Sequence, residues 1–463
     1  MKIKSFFLSI LVTLAFSACN NEVLNPTPDQ EKEQPEGYLV LNLTNPSTTR
    51  ATDQGTTEEN KINTLTVVLT DAAGNIKFVD NPDIKNGVPE KFKVALGTYH
   101  VYALVNSPTT VSVGQNIERV ITVAAATEAT SGYKNGSFFM VNQRSRDSEN
   151  AGVITTVDAT NSITNPARAS IYVDRVVGKI VDATENENIN AGGLTATTGG
   201  IINGVDIVGF EVLNVNKKFN LIQTWNTNNA DGIPLGETKV LSTPLYPGGE
   251  EDLVADQYFH NIGNYTTLTK PEGKITAITV NPSNTFDKKT VYTTENRPTI
   301  IGVGETAEIT AGRGETTGVI YKVQAKKGEN NSGTFYTYQN NIYDDVANIQ
   351  ALPDFKNETL PSEIPALRAL GIKVYENGVM YYTYFIAAHK YEGKNYYGVF
   401  RNSLYELVIN SISSLGDDVP GGAIVDPTES GEAGNPLIST DEAYMEVTLT
   451  VNPWIVYTLG IGF

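Results

Sequence analysis

The chain has 463 residues, a formal charge of −18, 40 glycines, 21 prolines, 23 tyrosines and a single cysteine. Such an acidic balance argues against nucleic acid as a partner and against electrostatic adhesion to anionic membranes. One cysteine excludes intramolecular disulfides and a cysteine metal site, so stability has to come from hydrophobic cores, for which the length allows two or three domains.

Residues 1–18 join the basic Lys2 and Lys4 to an apolar stretch, Phe6–Phe16, and the small Ser17–Ala18. This is the pattern of a secretory signal, and the stretch is too short to span a bilayer as a helix. Cys19 stands where bacterial lipoprotein signals carry their lipidated thiol. It reads as an acyl (palmitate-type) attachment residue, the alternative being an incidental cysteine in an ordinary signal. Asn20–Gly37, with Pro26, Pro28, Pro35 and five acids, reads as an extended tether. Leu39, Leu41 and Leu43 then share one face of a first strand. Between Lys32 and Lys61 the only basic residue is Arg50, in a polar stretch (45–60) with no aliphatic side chain larger than that of Ala51. Arg50–Ala51 is therefore an accessible bond for a trypsin-like protease; the plainer reading is a solvated arginine.

Strand signals continue at Leu65, Val67 and Leu69, followed by a turn over Asp71–Asn75. Phe92, Val94 and Leu96 lead through Gly97 to Tyr99, Val101, Ala103 and Val105 and read as a hairpin. Ala124–Ala129 suggests one short helix, and Ala169–Val181 a single strong strand. Ile189–Gly204 reads as a Gly/Thr-rich loop and Val205–Asn220 as strand, with a domain boundary near Asn220. Later strands are expected at Lys274–Val280, Gly318–Lys326, Thr334–Tyr338, Ile372–Tyr375, Val379–Ala387 and Leu404–Ile412. A helix is expected over Ser362–Leu370, capped by Ser362 and stopped by Gly371. Gly416–Leu437 is an acidic Gly/Pro loop. Many short strands with frequent turns predict a mainly β chain of sandwiches or barrels with few short helices.

From Met445 to Phe463 every odd position is apolar except that Pro453 interrupts the run, while Trp454 and Val456 break the polar even row. Proline has no donor for a central ladder, so two strands are expected, joined at Asn452–Pro453. The second ends the chain and carries Ile455, Tyr457, Leu459, Ile461 and Phe463 on one face. Burying those five side chains is worth on the order of 8–15 kcal/mol before entropy costs. The groove that receives them belongs either to the strand's own domain or to another molecule. A head-to-tail contact of the latter kind does not close and yields a filament.

Catalytic constellations are weak. His100, His260 and His389 are far apart, and Gly302–Gly318 lacks the lysine and the helix of a phosphate loop. Asp417–Asp418 and Glu429–Glu432 attract calcium at most weakly, with spacing unlike an EF-hand. The tyrosines 375, 381, 382, 384, 391, 396 and 397 form either a sugar-stacking platform or the alternating faces of core strands. No enzyme, cofactor or metal site is expected.

In order and spacing, several segments resemble the type V fimbrial subunits (major-fimbrium pilins) of Bacteroidetes-type bacteria. They are the lipobox-like Phe16–Cys19, Thr-Thr-Arg-Ala at 48–51, GTYHVYALVN at 97–106, VGFEVLNVNKKFNL at 208–221, YTTENRP at 292–298, YENGVMYYTYFIAAH at 375–389, FRNSLYELVINSISSLG at 400–416 and VTLTVNPWIVY at 447–457. The resemblance implies two transthyretin-like β-sandwich domains, 51–220 and 221–463, behind a signal (1–18) and a lipidated propeptide (19–50). It further implies export to the outer membrane through Cys19 and cleavage after Arg50 by an arginine-specific protease, which removes the strand bearing Leu39, Leu41 and Leu43. A neighbour's terminal strand, 455–463, then fills the vacated groove. The implied partners are copies of the same chain, other fimbrial subunits and host or bacterial surface receptors, in cell-surface fimbriae that mediate adhesion. A monomeric surface glycan-binding lipoprotein is the alternative function.

Overall fold

Runs of β-branched and aromatic residues broken by turn residues make this chain a set of short strands. The computed structural model describes residues 35–43, 55–85, 88–123, 133–134, 137–142, 152–184, 189–213, 215–216, 218–222, 225–226, 233–234, 240–241, 259–260, 289–296, 316–391, 394–418 and 445–453. The described elements are mainly strands with a few short helices, as expected. They belong to one compact unit, Glu36–Phe463.

The first half contributes β1 (Glu36–Leu43), β2 (Leu65–Thr70), β3 (Ile76–Asp80), β4 (Phe92–Ala95), β5 (Gly97–Val105), β6 (Val153–Val157) and β7 (Ala167–Ile171). In one sheet β1 is the middle strand, antiparallel to β4 and parallel to β7. In the other, β5 pairs antiparallel with β2, with β6 and with Met140–Val141, and β3 extends outward from β2. Leu39, Leu41, Phe92, Val94, Ala169 and Ile171 of the first sheet share one buried cluster with Leu65, Val67, Leu69, Val101 and Ala103 of the second, as in a β-sandwich.

Two expectations fail here for one reason. Phe92–Val105 is not a hairpin: β4 and β5 lie in different sheets, with a bend at Leu96 between them. Ala169–Val181 is not one strand either, but β7, Asp174–Arg175 and β8 (Val177–Asp182), which enter three sheets. Alternation reports which side chains are buried, not which sheet edge the backbone meets.

The second half adds α1 (Gly192–Thr197), β9 (Gly204–Leu213), β10 (Lys289–Thr294), β11 (Gly318–Lys327), α2 (Val346–Gln350), α3 (Ile364–Ala369), β12 (Val379–Phe385), β13 (Ser403–Ile412) and β14 (Met445–Pro453). One sheet runs β10–β8–β13–β14, and another joins β9, β11 and β12. Ile180, Leu194, Ile207, Tyr321, Val323, Met380, Leu407 and Met445 lie in a second buried cluster. Val177 and Val181 of β8 face the first cluster and Ile180 the second, so the change of core falls within β8. It does not coincide with Asn220, since Leu194 and Ile207 pack in the second cluster and Leu221 and Ile222 in the first.

The loop expected at 189–204 contains α1, which seats Leu194 in the second core. Helix α3 starts two residues after Ser362 with Glu363 at its cap and no side-chain capping bond; a proline in the first turn suits that start. Gly371, at φ +79, ends it as expected. Residues 328–378, between the neighbouring strands β11 and β12, hold a small core of their own built on Ile349, Phe355, Leu367, Ile372 and Val374. The expected helix at Ala124–Ala129 and strand at Lys274–Val280 lie outside the described residues.

Candidate functional site

The seat of β1 is the best-formed feature that the sequence reading singled out. Leu39 and Leu41 are 0% exposed, and Leu43 is partly buried against the same cluster. Opposite them along β7 stand Ala167, Ala169 and Ile171, and along β4 Phe92 is the partner of Leu39. Val40, on the other face of the strand, is also buried. β1 therefore has neighbours on both edges and is buried on both faces at its centre.

The N-terminal end of the seat is closed. A Cβ on Gly37 would lie 2.6 Å from Val157 Cγ1 and 3.1 Å from the Asp158 carbonyl oxygen, so only glycine fits without displacing the loop. The Tyr38 amide donates to the Asn161 carbonyl at 3.0 Å. That loop is braced by its own side chains: Asp158 accepts from the Thr160 amide at 2.8 Å, and Asn161 Oδ1 from the Asp158 amide at 2.8 Å. Lys91 Nζ reaches the Ile163 carbonyl at 2.9 Å.

A different kind of attachment begins after residue 55. The Thr56 amide donates to Glu59 Oε2 at 2.6 Å and the Glu59 amide to Thr56 Oγ1 at 3.2 Å, a reciprocal pair of the capping-box kind. Glu59, 2% exposed, also meets Lys179 Nζ at 3.0 Å and accepts from the Tyr292 hydroxyl at 2.7 Å. Burial pushes its carboxyl up, but the hydrogen bonds from Tyr292, Thr56 and Lys179 outweigh that and hold it below the usual range. Fully buried Arg175 donates through Nε to the Glu59 carbonyl at 3.2 Å and through its guanidinium to Asn60 Oδ1. Asn106 then accepts from the amides of Asn63 and Thr64 and donates to the carbonyls of Lys61 and Phe138. Residues 56–64 form no strand, and these side chains take the place of a ladder.

At the other end of the chain, β14 pairs antiparallel with β13, Leu449 opposite Leu407 and Val451 opposite Tyr405, and ends at Pro453 opposite Ser403. Among the described residues β13 is its only ladder partner. Asp418, considered above as a weak calcium ligand, is instead engaged by Arg368 Nε at 2.6 Å and the Val374 amide at 2.9 Å, and Asp417 by Lys373 at 3.4 Å. Tyr375, Tyr381 and Tyr382 are buried, with the Tyr375 hydroxyl donating to the Gly416 carbonyl and the Tyr382 hydroxyl to that of Ser414. Burial raises the Tyr384 hydroxyl to about 12. Tyr375, Tyr381 and Tyr382 are core residues. His100 lies on β5 opposite Thr70 and Ile154, and the described residues hold no group of three or more His, Cys, Asp or Glu able to bind a metal.

Cys19, Arg50, Ala51, Ile455, Tyr457, Leu459, Ile461 and Phe463 lie outside the described residues, as do Gly302–Glu315 and the acidic loop beyond Asp418. The described chain does flank them: β1 ends at Leu43, the polar anchorage begins at Thr56, and β14 stops one residue before Trp454. Sequence reasoning missed that anchorage, although Thr56 and Glu59 carry a local capping-box signal. The match to known families falls on the C-terminal strands. Residues 373–459 match the model of the major fimbrial subunit protein type IV (fimbrillin) C-terminal family.

This segment is fimbrillin-like.

The match bears out the resemblance to fimbrial subunits, under a type IV description where the sequence reading drew type V. No curated protein sequence matches the chain. Among solved structures, a fimbrilin of Porphyromonas gingivalis aligns over 92% of this chain and 99% of its own, with 13% identity and a TM-score of 0.46. The tip fimbrial protein Mfa3 of Porphyromonas gingivalis aligns over 91% and 100%, with 13% identity and a TM-score of 0.38. A fimbrial assembly protein of Parabacteroides distasonis aligns over 81% and 90%, with 12% identity and a TM-score of 0.31.

Proposed function

We propose that the chain is a structural subunit of a cell-surface fimbria that polymerises by strand exchange and serves adhesion. It is exported through a lipid on Cys19, is cleaved between Arg50 and Ala51, loses β1, and receives the C-terminal strand of a neighbouring copy in the vacated seat. The observation that carries this reading is the position of β1: the middle strand of its sheet, buried on both faces at its centre, and joined to the rest of the chain through the segment that contains Arg50. Losing it exposes two unpaired strand edges and the seats of Leu39 and Leu41, each worth about 1.5–3 kcal/mol of burial. A strand from another copy that restores the ladder and fills those seats is stabilised by the same terms, as in donor-strand complementation. The polar anchorage of Thr56–Thr64 keeps the chain after the cut in place while β1 departs.

Processing supplies the test. Arg50→Ala should leave intact, unpolymerised precursor at the membrane, and N-terminal sequencing of normal filaments should begin at Ala51. Normal filaments from Arg50→Ala would refute the cleavage step. Cys19→Ala should block lipoprotein processing, and mature subunits that still carry acyl chains would contradict the proposed order of events.

A further inference from the structure

We infer that Arg401 and Asn402, the two residues ahead of β13, clasp the two cores together, so that the half holding β1 and the half holding β14 unfold as one unit. This goes beyond the proposed function and does not depend on cleavage or strand exchange.

The two cores share a wall. β8 and β13 are parallel neighbours, with Lys179 opposite Leu404 and Ile180 opposite Tyr405. Leu404 packs in the first cluster with Val177 and Val181, whereas Tyr405 packs in the second with Ile180. Apolar contacts on either side of such a wall are non-directional and do not by themselves tie one core to the other. Buried, directional hydrogen bonds do.

The turn ahead of β13 supplies them. It lies close on β8, where a Cβ on Gly178 would come within 2.7 Å of Val399 Cγ1 and 3.0 Å of the Phe400 carbonyl oxygen. The Phe400 amide donates to the Tyr405 hydroxyl at 2.8 Å, and the Asn402 amide to the Val177 carbonyl at 2.8 Å. Asn402 sits at φ +53, a left-handed conformation that asparagine tolerates.

The two side chains then reach different parts of the first half. Arg401 is 1% exposed and pairs through Nη2 with Oε1 of fully buried Glu295 at 3.2 Å. Its Nη1 donates to the Leu221 carbonyl at 3.0 Å and its Nη2 to that of Asn220 at 2.8 Å. Lys218–Asn220 is paired with Ile121–Val123, and Leu221 and Ile222 are buried in the first cluster. Asn402 Nδ2 donates to Asp174 Oδ1 at 2.7 Å, between Val173 and Val176 of the same cluster, and its Oδ1 accepts from the Arg175 amide at 3.4 Å. One dipeptide thus ties β13 to two separate segments seated in the first core. Losing an ordinary buried pair lowers the stability of the whole, whereas losing a clasp lets each core unfold at its own denaturant concentration.

Hydrogen exchange of the full chain, read by mass spectrometry along a urea series, separates these outcomes by following β5 in the first core and β11 in the second. In the unaltered chain the two midpoints should coincide. Arg401→Met should part them and lower the urea slope of each transition, because the slope follows the surface exposed in that transition. Arg368→Met removes a buried pair with Asp418 that lies inside the second half, and should leave the midpoints together. Asn402→Gly keeps the left-handed backbone and loses both side-chain bonds, so it should part them to a smaller extent and decides the matter if Arg401→Met does not fold. Separate midpoints in either clasp variant, beside coincident ones in the unaltered chain, bear out the clasp. Coincident midpoints in every clasp variant that folds, or separate midpoints in the unaltered chain, would overturn it.

Discussion

The chain on the two sides of Arg50 is held to the same body by different physics. Before it, β1 is fixed by backbone ladders and by Leu39 and Leu41 in an apolar core. After it, Thr56–Thr64 has no ladder and is fixed by Glu59, Lys179, Tyr292, Arg175 and Asn106. Apolar packing is non-directional and accepts any strand of suitable pattern. A buried ionic network accepts only its own partners, because each group left alone costs the full desolvation of a charge. Under the proposed strand exchange, the attachment that would be exchanged precedes the arginine and the one that would stay follows it.

The largest effect that sharpens this contrast is expected at Glu59. Glu59→Ala leaves Lys179 buried without that carboxylate and should cost about 3–5 kcal/mol by urea denaturation, in precursor and processed protein alike. Leu41→Ala should cost about 2–5 kcal/mol in the precursor and, if processing removes β1 as proposed, nothing in processed subunits. A loss in both forms would mean that β1 stays. Asn106→Ala removes the acceptor of the Asn63 and Thr64 amides and should cost about 1–3 kcal/mol, again in both forms.

The smallest effects are in pH dependence, and two carboxylates act in opposite senses. Glu59 is held below its ordinary 4.5, so its contribution is present above that value and lost as pH falls through its folded value. Burial raises Asp174 from 3.8 to about 6, against the opposing charges of Arg401 and Arg175. Between those values the folded chain holds a proton that the unfolded chain has released, so stability falls as pH rises across that window. Asp174→Asn should flatten that fall, and Glu59→Gln should flatten the acid limb. Unfolding midpoints across the two windows check both.

Much of the apolar side of this contrast was legible in the sequence. The period-two leucines of β1, the strands at Leu65–Leu69 and Leu404–Ile412 and the stop at Gly371 follow from local pattern. The burial of Val40 was not legible, because alternation assumes one covered face. Nor was the bend at Leu96, since a run of apolar residues does not say which edge it will meet. The polar anchorage was the least legible part, as Glu59 meets Lys179 and Tyr292 only through tertiary folding, far along the chain.

Deleting Ile455–Phe463 tests the central claim most directly. With β14 still paired to β13, the truncated chain should fold with an unchanged urea midpoint as precursor, and the cells should yield no filaments and no heat-sensitive ladder. Filaments of normal length from the truncated chain would contradict strand exchange.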